Sequence, residues 1–343
     1  MQKKPAIGIV APSSKVPKVE LKLGVNRIEK SGFWVDIHPQ CHQSHLFFAG
    51  NDVERAEGFF EYAQNPRYSS LWCARGGHGS IRILSRLQKL TEQRGVPPRK
   101  LLLGYSDVTA LMEFVRKEWG WATLHAPMPT WRKFSILGRS DWTALTQWIQ
   151  GKEAPPPWKK SRLEYWSKPP KSPMTGTLVG GNLTVLTCLL GTGYQADLQN
   201  HLLFLEDVDE GMYRIDRMLQ QLILSGSLSK VKAIVLGNFL NCKDHSPLVL
   251  KDEPAPRALS RVLKNPKPIE LQPLRKTLKE YDALRQIFAE VGTQLKIPVA
   301  FGLPVGHGPE VSPLPLGARY RLQPEGFLEL LSWDWLDSGS FLR

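Results

Sequence analysis

The chain has 343 residues, 42% of them hydrophobic and 22% charged, with a formal net charge of +13. That length suits two domains, and that composition excludes a disordered chain. The charge invites a polyanion, but Lys and Arg are spread along the sequence without an RNP, zinc-finger or basic-helix motif; a surface that attracts carboxylate-bearing substrates is preferred to one that binds nucleic acid.

The first apolar run, Ala6 to Ala11, is too short for a signal-peptide core, and no stretch nears the roughly 20 apolar residues of a membrane span. A soluble, cytoplasmic chain without a membrane partner is expected. From the start, "AIGIVAPSS" reads as a strand entering a loop, "KLGVNRIEKSG" as a helix closed by glycine, and "FWVDIHP" as a strand. "HPQCHQSH" places His38, Cys41, His42 and His45 at metal-like spacing, but it has no partner cluster elsewhere, and no metal is assigned. "DVERAEGFFEYAQNP" is a helix with Asp52 as its expected cap. "SLWCARGGHGS" is a strand running into a glycine loop, "SIRILSRLQKL" a helix, "KLLLGYSD" a strand and tight turn, and "VTALMEFVRKEWG" a helix. This β-α-β-α order predicts a parallel, helix-covered sheet over residues 1–150, with its site at the carboxyl ends of the strands.

Residues 151–173, rich in proline and lysine, read as a linker. Residues 174–343 read as a second α/β domain with more short strands, interrupted by a polar stretch over 243–280. Seven of the eleven tryptophans lie between Trp119 and Trp166, and packing of the linker against the domains is their expected use. Cys73, Cys188 and Cys242 sit in apolar contexts and read as buried thiols of a reducing compartment.

Three chemistry-bearing residues stand near the ends of expected strands: Ser106 in "GYSD", Glu206 in "HLLFLED" and His307 in "PVGHGPE". A serine hydroxyl needs a general base, and the base needs a third group to hold its tautomer. Each residue also has a plainer reading. Ser106 or Asp107 can cap a helix, Glu206 is one of several acids before a helix, and His307 can be an ordinary loop histidine. The loop Arg75-Gly76-Gly77-His78-Gly79-Ser80 lacks the P-loop lysine and the dinucleotide glycine spacing. Its backbone N–H groups, with that of Asp107, suit an oxyanion hole.

The chain resembles the LD-carboxypeptidases, a serine peptidase family that also contains the microcin C immunity peptidases. The resemblance is carried, in order, by "IGIVAPSS", "FFAGNDVERAEGF", "ARGGHGSIRIL", "GYSDVTAL", "GTLVGGNLTVLTCLLGT", "LFLEDVDEGMYRIDRMLQQL", "AIVLGNF" and "IPVAFGLPVGHG…LPLGA". It implies a flavodoxin-like N-terminal domain carrying the nucleophile Ser106, and a smaller mixed α/β C-terminal domain carrying the acid Glu206 and the base His307. It also implies an oxyanion hole from Asp107 and the Gly76–Gly77 turn, no cofactor, and a homodimer. The implied reaction removes the terminal D-alanine of a murein tetrapeptide, after diaminopimelate or lysine, in peptidoglycan recycling. Arg75 is the expected anchor for the terminal carboxylate. The alternatives are a microcin-immunity-like peptidase acting on aminoacyl-adenylate analogues and a murein-peptide-binding protein without turnover. Two positions depart from the family pattern: His78 stands where a tyrosine is expected, offering a rival base, and "HGP" is His125-Ala126-Pro127.

Overall fold

The computed structural model describes residues 5–243 and 280–337. The expected insertion over 243–280 therefore lies almost wholly outside the described residues.

The first half alternates as the periodicity predicts. Strands β1 (Ala6–Val10), β2 (Trp34–Ile37), β3 (Ser70–Cys73), β4 (Leu101–Gly104) and β5 (Ala122–His125) are interleaved with helices α1 (Lys18–Lys30), α2 (Asp52–Gln64), α3 (Ser80–Arg94) and α4 (Thr109–Trp119). The strands are parallel, in the order β2-β1-β3-β4-β5, the flavodoxin-like arrangement. Every residue of β3, β4 and β5 is buried, as parallel strands covered on both faces require. Leu101, Leu102 and Leu103 are fully buried, and each contributes about 2 kcal/mol over exposure. Helix α3 turns Ile83, Leu84, Leu87 and Leu90 inward, one apolar face of a 3.6-residue period. Helix α2 is capped by Asn51, which forms a reciprocal capping box with Glu54. Asp52, the expected cap, is instead the first helical residue, where its carboxylate pairs with Arg55 and Arg82.

Helix α5 (Arg139–Ile149) leads into the proline-rich stretch, which carries the short strand β6 (Glu164–Tyr165). Trp158 of that stretch is buried with its ring centroid 5.9 Å from that of Trp148, and Trp333 lies 6.3 Å from Trp148 on another side. Trp335 Nε1 donates to the Trp148 carbonyl at 2.7 Å. Indole packing thus ties the stretch and the far end of the chain to α5.

The second half contains β7 (Met174–Asn182), α6 (Leu183–Cys188), β8 (Leu202–Val208), α7 (Met212–Leu224), β9 (Ala233–Leu240), α8 (Glu280–Leu295), β10 (Val299–Phe301), β11 (Leu314–Leu316), β12 (Arg319–Leu322) and β13 (Leu328–Ser332). Its sheet runs β13-β12-β7-β8-β9-β10-β6. The four strands β7 to β10 are parallel, and β12, β13 and β6 join antiparallel. Strand β11 leaves this sheet and completes the first one, antiparallel to β5, with Leu314 opposite His125. Two residues on, the chain returns to β7: the Gly317 N–H donates to the Leu178 carbonyl at 2.7 Å, and the Leu178 N–H to that of Ala318 at 2.9 Å.

All four cysteines are free, and Cys41, Cys73 and Cys242 are buried. Cys188 corrects the expectation: it ends α6 on the exposed side, away from the apolar face formed by Leu183 and Leu186. Among the described residues no helix is long and apolar enough to cross a membrane.

Candidate active site

Four segments meet at the carboxyl ends of β3, β4, β8 and β10. The first is the turn after β4. Ser106 adopts φ +65°, a left-handed conformation that costs a non-glycine residue on the order of 1 kcal/mol and recurs at catalytic turns. Gly104 makes the turn possible, because a Cβ there would lie 2.8 Å from Val108 Cγ1. The capping reading of this turn is half right. Asp107 does cap a helix, but the neighbouring one: the Ser80 N–H at the start of α3 donates to Asp107 Oδ2 at 2.8 Å, and the Ser80 hydroxyl donates to the Asp107 carbonyl. The serine turn and the glycine loop are thereby fastened together.

The glycine loop lies against the serine. A Cβ on Gly76 would stand 3.0 Å from Ser106 Cβ and 3.3 Å from its Oγ. Gly77 has φ +102°, and a Cβ there would meet Ser14 Oγ at 2.4 Å. Ser14, from the loop after β1, clamps the turn from below. Its N–H donates to the Gly76 carbonyl at 3.3 Å, and its hydroxyl accepts from the His78 N–H at 3.1 Å. The fully buried Arg55 guanidinium donates to the carbonyls of Pro12 and, at 2.8 Å, Gly79. Neither Ser14 nor Arg55 was singled out by sequence; the only signal was their place inside the quoted blocks.

Glu206 and His307 come from the second half. Glu206 is fully buried near the end of β8. Its Oε2 accepts from the His307 ring Nδ1 at 2.6 Å and from the His307 backbone N–H at 3.1 Å, while Asn182 Nδ2 donates to Oε1 at 3.3 Å. The glycines flanking His307 serve this approach. A Cβ on Gly306 would stand 2.7 Å from Glu206 Oε2, and one on Gly308 2.2 Å from Asn238 Nδ2. Burial is the largest single influence on Glu206 and opposes its charge, but the charge and hydrogen bond of His307 together with His125 outweigh it and hold the carboxyl well below the usual range. Burial likewise opposes protonation of His307, yet the charge and hydrogen bond of Glu206, with Asp207 and Asp209 behind, raise it. Asp207, buried beside Glu206, is pushed up to about 6 by burial and by the Glu206 charge, against hydrogen bonds from Thr184 and Val208.

Ser106, His307, Arg75, Gly76 and Gly77 line one cavity of about 590 Å³, together with Tyr105, Glu20, Trp131 and Arg132. Arg75 is tethered there by a 2.9 Å hydrogen bond to the Lys15 carbonyl. The ring of Tyr105 lies 4.7 Å from that of His307. His78 is exposed, with its ring 5.7 Å from that of Phe48, and is not among the lining residues. In the histidine-rich run His38 and Cys41 are buried, while His42 and His45 are exposed. His38 accepts from the Gln40 N–H at 3.1 Å and faces Glu61 at 3.2 Å, and burial pushes the Cys41 thiol up to about 12. Among the described residues no group of three or more His, Cys, Asp or Glu could hold a metal ion.

Residues 7–126 match the model of the LD-carboxypeptidase N-terminal domain, and residues 175–322 that of the LD-carboxypeptidase C-terminal domain. The chain is 26% identical to the murein tetrapeptide carboxypeptidase of Pseudomonas aeruginosa, over 92% of either protein. It superposes on the crystal structure of muramoyltetrapeptide carboxypeptidase from Oxalobacter formigenes with a TM-score of 0.67 and 28% identity, covering 94% of this chain and 96% of that one. The microcin C7 self-immunity protein MccF, an Escherichia coli relative, gives a TM-score of 0.71 at 20% identity over 96% of both chains, a likeness of fold.

Proposed function

We propose, for a chain that belongs to the LD-carboxypeptidase family and is a serine-type carboxypeptidase, that the cavity hydrolyses the bond before the terminal D-alanine of a murein tetrapeptide. One observation carries the reading. A histidine bonded to a buried carboxylate at 2.6 Å lines the same cavity as a serine held at φ +65°. Ser106 Oγ attacks the carbonyl carbon of the third stem residue, while His307 takes its proton through Nε2. Nδ1–H remains on Glu206, which fixes the tautomer and stabilises the imidazolium. The oxyanion forms against the backbone N–H of Asp107 and of the Gly76–Gly77 turn. His307 then protonates the leaving amine, D-alanine departs, and water attacks the acyl-enzyme with His307 again as base.

The guanidinium of Arg75 on the cavity wall suits the terminal carboxylate, and the net charge of +13 suits a substrate rich in carboxylates. The proposed setting is peptidoglycan recycling in the cytoplasm, with the enzyme as a homodimer. D-alanine release from purified murein tetrapeptide, wild type beside Ser106→Ala, tests the reading. Release by the wild type and a loss on the order of 10⁵-fold in the variant is expected. Release that survives the substitution removes Ser106 as nucleophile. No release by the wild type redirects the search to aminoacyl-adenylate analogues and then to peptide binding without turnover.

A further inference from the structure

Glu206 is approached by two histidines, one of which the proposed chemistry leaves unused. His125 ends β5 on the first sheet, opposite Leu314 of β11. It is fully buried, and neither ring nitrogen has a hydrogen-bond partner among the described residues. Its ring is boxed in by Tyr105 and Phe204, each with its centroid 5.4 Å away. Glu206 Oε1 lies 4.0 Å from its Nε2. A buried imidazole with unmet nitrogens is costly for packing alone, and a hydrocarbon of similar size would fill the space without that penalty. Of the two unmet nitrogens, Nε2 is the one that lies 4.0 Å from Oε1, the carboxylate oxygen that accepts from Asn182 and not from His307.

We propose that His125 is a positioning residue for Glu206: its Nε2–H faces Oε1 while the His307 ring holds Oε2, so the carboxylate is gripped from both halves of the molecule. The inference rests on Glu206 and His307 acting as the acid–base pair. The gap is longer than a formed hydrogen bond, and a small rotation of the carboxyl closes it when His307 gains the serine proton. The groups facing the pair are His125 from β5, Tyr105 from the turn after β4, Asn182 at the end of β7, which donates to Oε1 at 3.3 Å, and Asp207 and Asp209 from β8 and the residues after it. Of these only His125 brings a nitrogen donor to Oε1 from the first sheet. Withdrawing that donor concentrates negative charge on the side of the carboxylate that His307 sees, and His307 then binds its proton more tightly.

The test compares wild type, His125→Gln and His125→Phe, with His125→Leu in reserve if the phenylalanine variant does not fold. Two readouts are taken: kcat and KM for D-alanine release, and the His307 titration followed by NMR of ring-labelled histidine. Glutamine keeps an N–H near the position of Nε2; phenylalanine keeps only bulk. The phenylalanine variant is expected to lose about ten- to a hundredfold in kcat with KM within about twofold, to titrate His307 upward by about one unit, and to be largely rescued by glutamine. An unmoved His307 titration in His125→Phe overturns the proposal, and so does an equal loss in both variants. The NMR arm needs no substrate: a wild type that releases no D-alanine counts against the proposed reaction, while the titration still decides the role of His125.

Discussion

The two halves of the site are held by different physics. On the first sheet the working parts are backbone. Ser106 sits at φ +65°, Gly77 at φ +102°, and a Cβ on Gly76 would press within 3.0 Å of the serine Cβ. These are fixed by the Asp107–Ser80 bond, the Ser14 clamp and the buried Arg55. On the second sheet the working parts are charge, with Glu206 buried, held ionised by His307 and braced by Asn182. Shape on one side and electrostatics on the other should fail differently when disturbed.

The largest effect after loss of the nucleophile belongs to the charged side. Glu206→Gln keeps the shape and removes the charge, and a fall of about ten-thousandfold in kcat is expected. A fall below tenfold would show that the carboxylate's charge is not what His307 needs. The backbone side should break more gently. Gly76→Ala pushes a methyl against Ser106 and Met128, and kcat should drop about a hundredfold while the thermal midpoint stays nearly unchanged. A lowered midpoint with normal kcat would mean the glycine serves folding alone. Arg75→Ala should raise KM about tenfold and leave kcat alone, since a carboxylate anchor binds ground and transition states alike. The smallest effect concerns pH. His307 must be neutral to act as base, and its proton is held more tightly than in an ordinary histidine near 6.5. The acid limb of kcat/KM should therefore lie above that value, falling about tenfold per unit below it. In Glu206→Gln the limb should move down, because the charge that raised it is gone. A limb that stays in place would separate it from His307.

Much of the fold was legible in the sequence. The alternation of strand and helix in the first half follows from its hydrophobic period, and Ser106, Glu206 and His307 stood out near strand ends, each with a plainer reading, while their roles as nucleophile, acid and base came from the family resemblance. What stayed hidden depends on contacts between distant segments. Strand β11 is three residues with Pro315 at its centre, and a proline-rich run reads as loop until its edge position beside β5 is known. The glycines around His307 admit Glu206 and Asn238 at close range, an approach that exists only once the second sheet is assembled. Asp107 looked like a cap for the helix it precedes and caps another, because its partner Ser80 lies on the adjacent strand–helix unit. Cys188 looked buried because its neighbours are apolar, yet a short helix shows only one face to the core.

The return of β11 to the first sheet also bears on the order in which the protein can be made. The edge beside β5 stays open until Leu314–Leu316 has left the ribosome, after every other strand but β12 and β13. Until then the nascent N-terminal sheet offers the unpaired N–H and C=O groups of β5 to any passing strand. A truncated product ending near residue 150 would carry that open edge permanently, and clumping on translation would be its natural fate.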